Sequence, residues 1–281
     1  MRLALVQFDV RLGDVDANLA RAGALVDQAR DEGADLVVLP ELCLSGYQLG
    51  QVEHDVSVEA GDPRLAELAA AAGDAGLVVG FLERTRLHTY NAAAYFEGGG
   101  GPPVHVHRKL YLPTYGVFEE RKHFSPGGAL HAFDGRHGRF AMLVCNDAWQ
   151  PALAFLAVQD AAQVLIIPAN SAAGAYPGAL DTRGYWRDIT RFYGRMFESV
   201  VVFVNRVGVE GELEFWGGSH VVDACGDVLA EAPEGVEHVL LVDVDLAAVR
   251  ERRRRVPLLR EARLGLISRE VERLLGEGGD L

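Results

Sequence analysis

An α/β domain of layered helices and sheets is predicted by three features of the sequence. Apolar runs of strand length alternate with helix-period segments through much of the 281 residues. No repeat period occurs. No break in composition divides the chain. A core of this size buries about three-quarters of the unfolded surface, so neither disulfides nor metals are needed to hold it.

Each element has its own signal. Residues 3–8 form an apolar strand candidate. Asp14 or Asp16 caps the helix that follows, whose apolar stripe includes Leu19, Leu25 and Val26, and Gly33 stops it. Residues 36–39 are a short continuous apolar run, the pattern of a strand buried on both faces. Asp62-Pro63 opens a second helix with proline in its first turn. Strands are expected at 77–82, 90–96 and 104–107. The Gly-Gly-Gly-Gly-Pro-Pro stretch at 98–103 lacks the lysine and following helix of a phosphate loop, and reads as the connection of a hairpin. Further strands are expected at 140–144, 164–167, 200–205 and 239–244, and helices at 151–160 and 182–199. A charged helical tail spans 250–275. The division expected is one catalytic-size domain over 1–250 and a C-terminal helical tail over 251–281.

Composition narrows the function classes. The chain is 49% hydrophobic and 24% charged, which is globular, and its net charge is −13. That charge argues against nucleic acid and against anionic membrane surfaces as partners. No run approaches the ~20 apolar residues of a membrane span. The first ten residues lack the apolar core of a signal peptide, and Cys43, Cys145 and Cys225 are an odd, sparse set. A cytoplasmic protein with free thiols is expected.

Three strand ends carry reactive groups. Glu41 follows the apolar run 36–39, with Leu39, Pro40, Leu42 and Leu44 around it to desolvate a base. Lys109 ends the strand after the hairpin, in His107-Arg108-Lys109. His105 and His107 share a strand face, but no acidic or cysteine ligand stands beside them, so a metal site is not expected. Cys145 breaks the apolar strand 140–144 just before a helix, a turn that exposes a nucleophile to free backbone N–H groups. Base, cation and thiol together make an acyl-transfer set: the base activates the thiol, and the cation stabilises the oxyanion. A Cys–His pair is the rival reading, and none of the nine histidines has a protease-like context.

The stretches Leu-Pro-Glu-Leu-Cys-Leu-Ser-Gly-Tyr (39–47), His-Arg-Lys-Leu-Tyr-Leu-Pro (107–113) and Leu-Val-Cys-Asn-Asp-Ala-Trp (143–149) resemble, in order and spacing, the Glu, Lys and Cys motifs of the nitrilase (carbon–nitrogen hydrolase) superfamily. Asn205-Arg206-Val207-Gly208 and Phe215-Trp216-Gly217-Gly218-Ser219 agree with it. The resemblance implies a four-layer α-β-β-α sandwich and attack by cysteine on a non-peptide C–N bond, without metal or organic cofactor. By position, Glu41 is the general base, Lys109 the oxyanion cation and Cys145 the nucleophile. The backbone N–H of Asn146 is a second oxyanion donor, and Glu120, with Glu119 the lesser choice, is a second carboxylate beside the lysine. The stretch 109–120 resembles the glutaminase domain of glutamine-dependent NAD synthetase, and places Tyr115 and Phe118 in the substrate pocket. Cys43 is expected to be packing and Cys225 a loop thiol.

The function expected is hydrolysis of a small amide through a thioester, releasing ammonia. The alternatives are a nitrilase, an N-carbamoyl-amine hydrolase, or a glutaminase-like subunit supplying ammonia to a separate synthetase. Beyond a small-molecule amide, the partner expected is a second copy of the chain. In this family the segment after the last strand reaches across a subunit interface, so Val256, Pro257, Leu258, Leu259 and Leu264 are expected to make a homodimer or a larger assembly.

Overall fold

The computed structural model describes residues 1–115, 118–174 and 181–278. In chain order its elements are β1 (Arg2–Gln7), α1 (Val15–Asp31), β2 (Leu36–Val38), α2 (Pro63–Ala71), β3 (Gly76–Arg84), β4 (Thr89–Phe96), β5 (His105–Arg108), α3 (Glu120–His123), β6 (Phe133–Gly135) and β7 (Gly138–Met142). Then follow α4 (Pro151–Gln159), β8 (Val164–Ala169), β9 (Ala172–Ala173), α5 (Thr182–Phe197), β10 (Val200–Asn205), β11 (Val207–Glu210), β12 (Leu213–Trp216), β13 (His220–Val222), β14 (Val228–Glu231), β15 (His238–Asp243), α6 (Leu246–Arg255) and α7 (Leu264–Gly276).

Two six-stranded sheets carry the fold, ordered β15-β1-β2-β3-β4-β5 and β14-β13-β10-β8-β7-β6. Their centres are parallel, β1 with β2 with β3 and β7 with β8 with β10, and their margins are antiparallel. The two-residue period of a strand sends alternate side chains to opposite faces. On β1, Leu3 and Leu5 therefore enter the layer between the sheets, where they meet Met142, Ile166 and Val202. Ala4 and Val6 point the other way, onto Ala22, Val26 and Leu65 of α1 and α2. On the second sheet Leu143, Leu165 and Phe203 pack under α4 and α5 through Leu153, Ala157, Trp186 and Tyr193. The result is the four-layer α-β-β-α sandwich expected. A small third sheet, β11-β12-β9, stands beside it.

Local signals acted as read. Asp14 caps α1, its carboxylate accepting from the Ala17 N–H at 3.1 Å, and Asp62 caps α2 by accepting from Arg64 N–H at 3.0 Å. The glycine-proline stretch joins β4 and β5 as an antiparallel pair. The tail differs from a single helix over 250–275. It is two helices, interrupted at Val256-Pro257, where proline removes a helix donor. Residue 250 lies inside α6, whose Leu246 and Val249 are buried with the inter-sheet layer. Arg253 ties α6 down by donating to the carbonyls of Glu198 and Ala162. Residues 279–281 of the predicted tail lie outside the described residues.

Candidate active site

The three reactive side chains lie just past the C-terminal ends of β2, β5 and β7, on the rim where α/β sheets form sites. Two of these strand ends bend through left-handed backbone, Leu42 at φ +45° and Cys145 at φ +46°. Non-glycine residues there are strained, and such strain persists where the surroundings over-determine it. The Glu41 turn packs directly on β3. A Cβ at Gly80 would stand 2.2 Å from the Pro40 carbonyl oxygen, so only glycine fits beneath it. The lysine strand is pressed in the same way by Gly127, where a Cβ would lie 2.2 Å from the Arg108 carbonyl oxygen.

Glu41 and Lys109 are wholly buried and Glu120 is nearly so. Lys109 Nζ donates to Glu41 Oε1 at 2.8 Å and to Glu120 Oε1 at 2.7 Å. Asn91 Nδ2 donates to Glu41 Oε1 at 2.7 Å, and Tyr47 Oη to Glu120 Oε1 at 2.7 Å. Burial alone would push the Lys109 ammonium down. The two carboxylates outweigh it and hold its pKa well above the ordinary value. Burial raises the Glu120 carboxyl to about 7, with Lys109 opposing and Glu41 adding to the rise. The Cys145 thiol is held well above its ordinary range, first by desolvation and then by Glu41, while Lys109 pulls the other way. A thiol in this setting rests protonated, so a nucleophile here needs a base.

Cys145 opens a short 3₁₀ turn, Cys145–Trp149, whose first N–H groups have no partner within the turn. Asp147 in that turn was not singled out from the sequence, and it joins two motifs. Its Oδ1 accepts from the N–H groups of Leu110 and Tyr111, both at 2.9 Å. Its Oδ2 accepts from Val144 N–H at 3.1 Å and contacts His107 Nε2 at 2.8 Å. The lysine strand and the cysteine elbow are thereby fastened together through one buried carboxylate. His107 is this partner, and His105 stacks on Phe133.

The cavity over Cys145 is lined by Tyr47, Pro113, Tyr115, Phe118, Asn146, Trp149, Asn170 and Trp186 among others. Tyr115, Phe118 and Asn146 are all in that lining, and residues 116 and 117 lie outside the described set. Tyr115 Oη donates to Asn146 Oδ1 at 3.0 Å, and Asn146 Nδ2 donates to the Tyr111 carbonyl at 3.1 Å. Glu119 turns outward and pairs with Lys122, which leaves Glu120 as the carboxylate on Lys109. Cys43 is buried with its thiol pushed up to about 12 by desolvation, and Cys225 is exposed.

Sequence reading also missed Tyr47, Asn91 and the group that sets Tyr47. Glu210 Oε2 accepts from the N–H groups of Tyr47 and Gln48, each at 2.9 Å. Arg206, fully buried, pairs with Glu210 and lies 4.4 Å over the Phe215 ring. Tyr47 closes the first motif and Arg206 sits in the 205–208 stretch, so both were in view. Their link through Glu210, 163 residues from Tyr47, was not.

Comparison with known proteins agrees with this architecture. The carbon–nitrogen hydrolase family pattern matches residues 2–254. The glutamine-dependent NAD(+) synthetase of Thermotoga maritima is 32% identical over 249 residues, which cover 88% of this chain and 42% of that protein. The chain therefore spans less than half the length of that relative. N-carbamoylputrescine amidase of Arabidopsis thaliana is 26% identical over 266 residues, covering 89% of this chain and 88% of that one. The crystal structure of a carbon–nitrogen hydrolase from Helicobacter pylori G27 matches with a TM-score of 0.83 at 26% identity, over 94% of this chain and 96% of that chain. The chain is a member of the carbon–nitrogen hydrolase family, and an enzyme acting on C–N bonds other than peptide bonds.

Proposed function

We propose that the enzyme hydrolyses a small amide by covalent catalysis, with Cys145 as nucleophile, Glu41 as general base and Lys109 as oxyanion cation. The observation that carries this reading is the buried Glu41–Lys109–Glu120 cluster on the same rim as the cysteine that opens the 145–149 turn. Glu41 takes the Sγ proton as sulfur bonds to the carbonyl carbon, and the carbonyl electron pair moves to oxygen. Lys109 and the Asn146 N–H receive that oxyanion. Glu41 passes its proton to the leaving nitrogen, the C–N bond breaks, and ammonia departs from a thioester. Water then gives a proton to Glu41 as its oxygen bonds to the acyl carbon, the C–S bond breaks to release the carboxylic acid, and Glu41 returns its proton to the sulfur. Glu120 holds the ammonium in place.

Intact-mass analysis after brief exposure to an amide tests this. One acyl adduct is expected on the native chain and none on Cys145→Ala; an adduct carried by Cys43 overturns the assignment. Product analysis separates the alternatives, since a nitrile consumes two waters and a carbamoyl compound releases carbon dioxide. Supply of ammonia to a separate synthetase is the second reading, supported by the 109–120 stretch and the similarity to NAD synthetases.

We also propose a homodimer or a larger assembly built through the tail. No residue of α7 is buried, and Leu264, Ile267, Val271 and Leu274 are exposed on it. A symmetric pair would cover each such helix with the same surface of its mate. Leu259 does not belong to that surface: it packs on the outer core of its own domain, and its carbonyl accepts from Gln159. Sedimentation of the full chain should give a dimer or larger, and a full-length monomer at micromolar concentration would refute the proposal.

A further inference from the structure

One polar side chain at the cavity takes no part in the chemistry above. Asn170 follows β8, is 2% exposed and lines the same cavity as Cys145. Both residues line that one cavity, and the Asn170 backbone favours the Cys145 thiolate. Among the described residues neither Asn170 Oδ1 nor Nδ2 has a hydrogen-bond partner. The surrounding chain does not depend on this amide. Asn205 holds the next residue, accepting from Ser171 N–H at 2.8 Å and donating to the Ser171 carbonyl at 3.1 Å, while Trp216 Nε1 donates to Ser171 Oγ at 3.0 Å.

A buried amide left unpaired is costly, and buried polar groups in native proteins find partners. At a binding cavity the partner is supplied by the ligand. An amide offers one acceptor and two donors, so a group that both donates and accepts satisfies both ends. A carboxylate would satisfy Nδ2 but face Oδ1 and Glu120. An ammonium would satisfy Oδ1 and leave Nδ2 unpaired. The rest of the described wall mixes aromatic rings, among them Tyr115, Phe118, Trp149 and Trp186, with neutral polar side chains and Glu120, and no lysine or arginine is among the described lining residues.

Resting on the amide-hydrolase reading, we propose that Asn170 is the specificity-determining residue of the acyl subsite. The substrate is an uncharged amide whose acyl part carries a hydroxyl or a second carboxamide.

The test is kcat/KM on two isosteric pairs with the full chain: malonamide against isovaleramide, and lactamide against isobutyramide. Sites built to hydrogen-bond a substrate group reject analogues lacking it strongly, so a preference of ~10²-fold or more for the polar member is expected in at least one pair. In Asn170→Leu that ratio should fall to within about threefold of unity. Asn170→Asp keeps acceptors and loses the donor, and should also lose the preference, which covers a leucine variant that fails to fold. A native ratio near one in both pairs, or a ratio that survives both substitutions, overturns the inference while leaving amide hydrolysis intact. Absence of turnover and of any Cys145 adduct across all four amides overturns both.

Discussion

Two buried ionic clusters lie within one shell of each other, and they differ in how completely they are satisfied. Around Arg206 every nitrogen is engaged: Nε with the Val207 carbonyl, Nη1 with Glu210, and Nη2 with the Val10 carbonyl and Asp9. Glu210 uses both oxygens. Around Lys109 the ammonium holds two carboxylates, yet among the described residues Glu41 Oε2 and Glu120 Oε2 have no partner. A closed network fixes geometry. An open one leaves lone pairs unsatisfied and carries an unfavourable desolvation. The two are joined by Tyr47, whose N–H groups the first cluster and whose hydroxyl serves the second.

This comparison predicts opposite responses to substitution. The largest effect falls on turnover in the open cluster. Glu41→Gln should abolish measurable amide hydrolysis without lowering the unfolding midpoint, since a neutral amide relieves a buried charge. Lys109→Met should lose at least ~10²–10³ in turnover, the usual effect of removing one oxyanion donor. Steady-state rates beside thermal melts would check both, and a near-normal rate in Lys109→Met would sink the mechanism.

In the closed cluster the effect should be on stability. Arg206→Met strands the Glu210 carboxylate and is expected to cost about 3–5 kcal/mol by urea unfolding. Adding Glu210→Gln should recover part of that loss, because no buried charge is then left unpaired. If the double variant is no more stable than the single one, the pair is not acting as a closed unit.

A smaller effect is expected with pH. The Glu120 carboxyl is raised in the folded chain from an ordinary 4.5 to about 7, so the folded state binds its proton more tightly than the unfolded state. Its contribution to stability must then fall as pH rises between about 4.5 and 7, and stay at its least favourable above that window. The difference in unfolding free energy between the native chain and Glu120→Gln should decline across that window. A flat difference would place the proton elsewhere. The smallest effect is expected from Cys225, which is exposed and far from both clusters in role: Cys225→Ala should leave turnover nearly unchanged in the same assay.

Much of the site could be read from strand ends. A buried strand must stop where polar chain begins, so apolar runs before Glu41 and Cys145, and a strand candidate before Lys109, put reactive groups at strand ends before any coordinates. What could not be read was who holds those groups. Asp147 stood in plain view two residues past the cysteine, but three of its four partners come from the lysine motif, some 36–40 residues earlier in the chain. Gly80 looked like any strand glycine until the Glu41 turn was laid against it.

By itself, then, the sequence determined the alternation of strands and helices and which reactive residue types end the strands, because the two-residue and 3.6-residue periods are local properties, while the four-layer stacking followed from the family resemblance. Only the tertiary structure decided which carboxylates share the lysine, which clamp sets Tyr47, and which buried amide remains unpaired. Those depend on distances between segments far apart in the chain, and a hydrogen bond exists only within a few tenths of an ångström of its proper length.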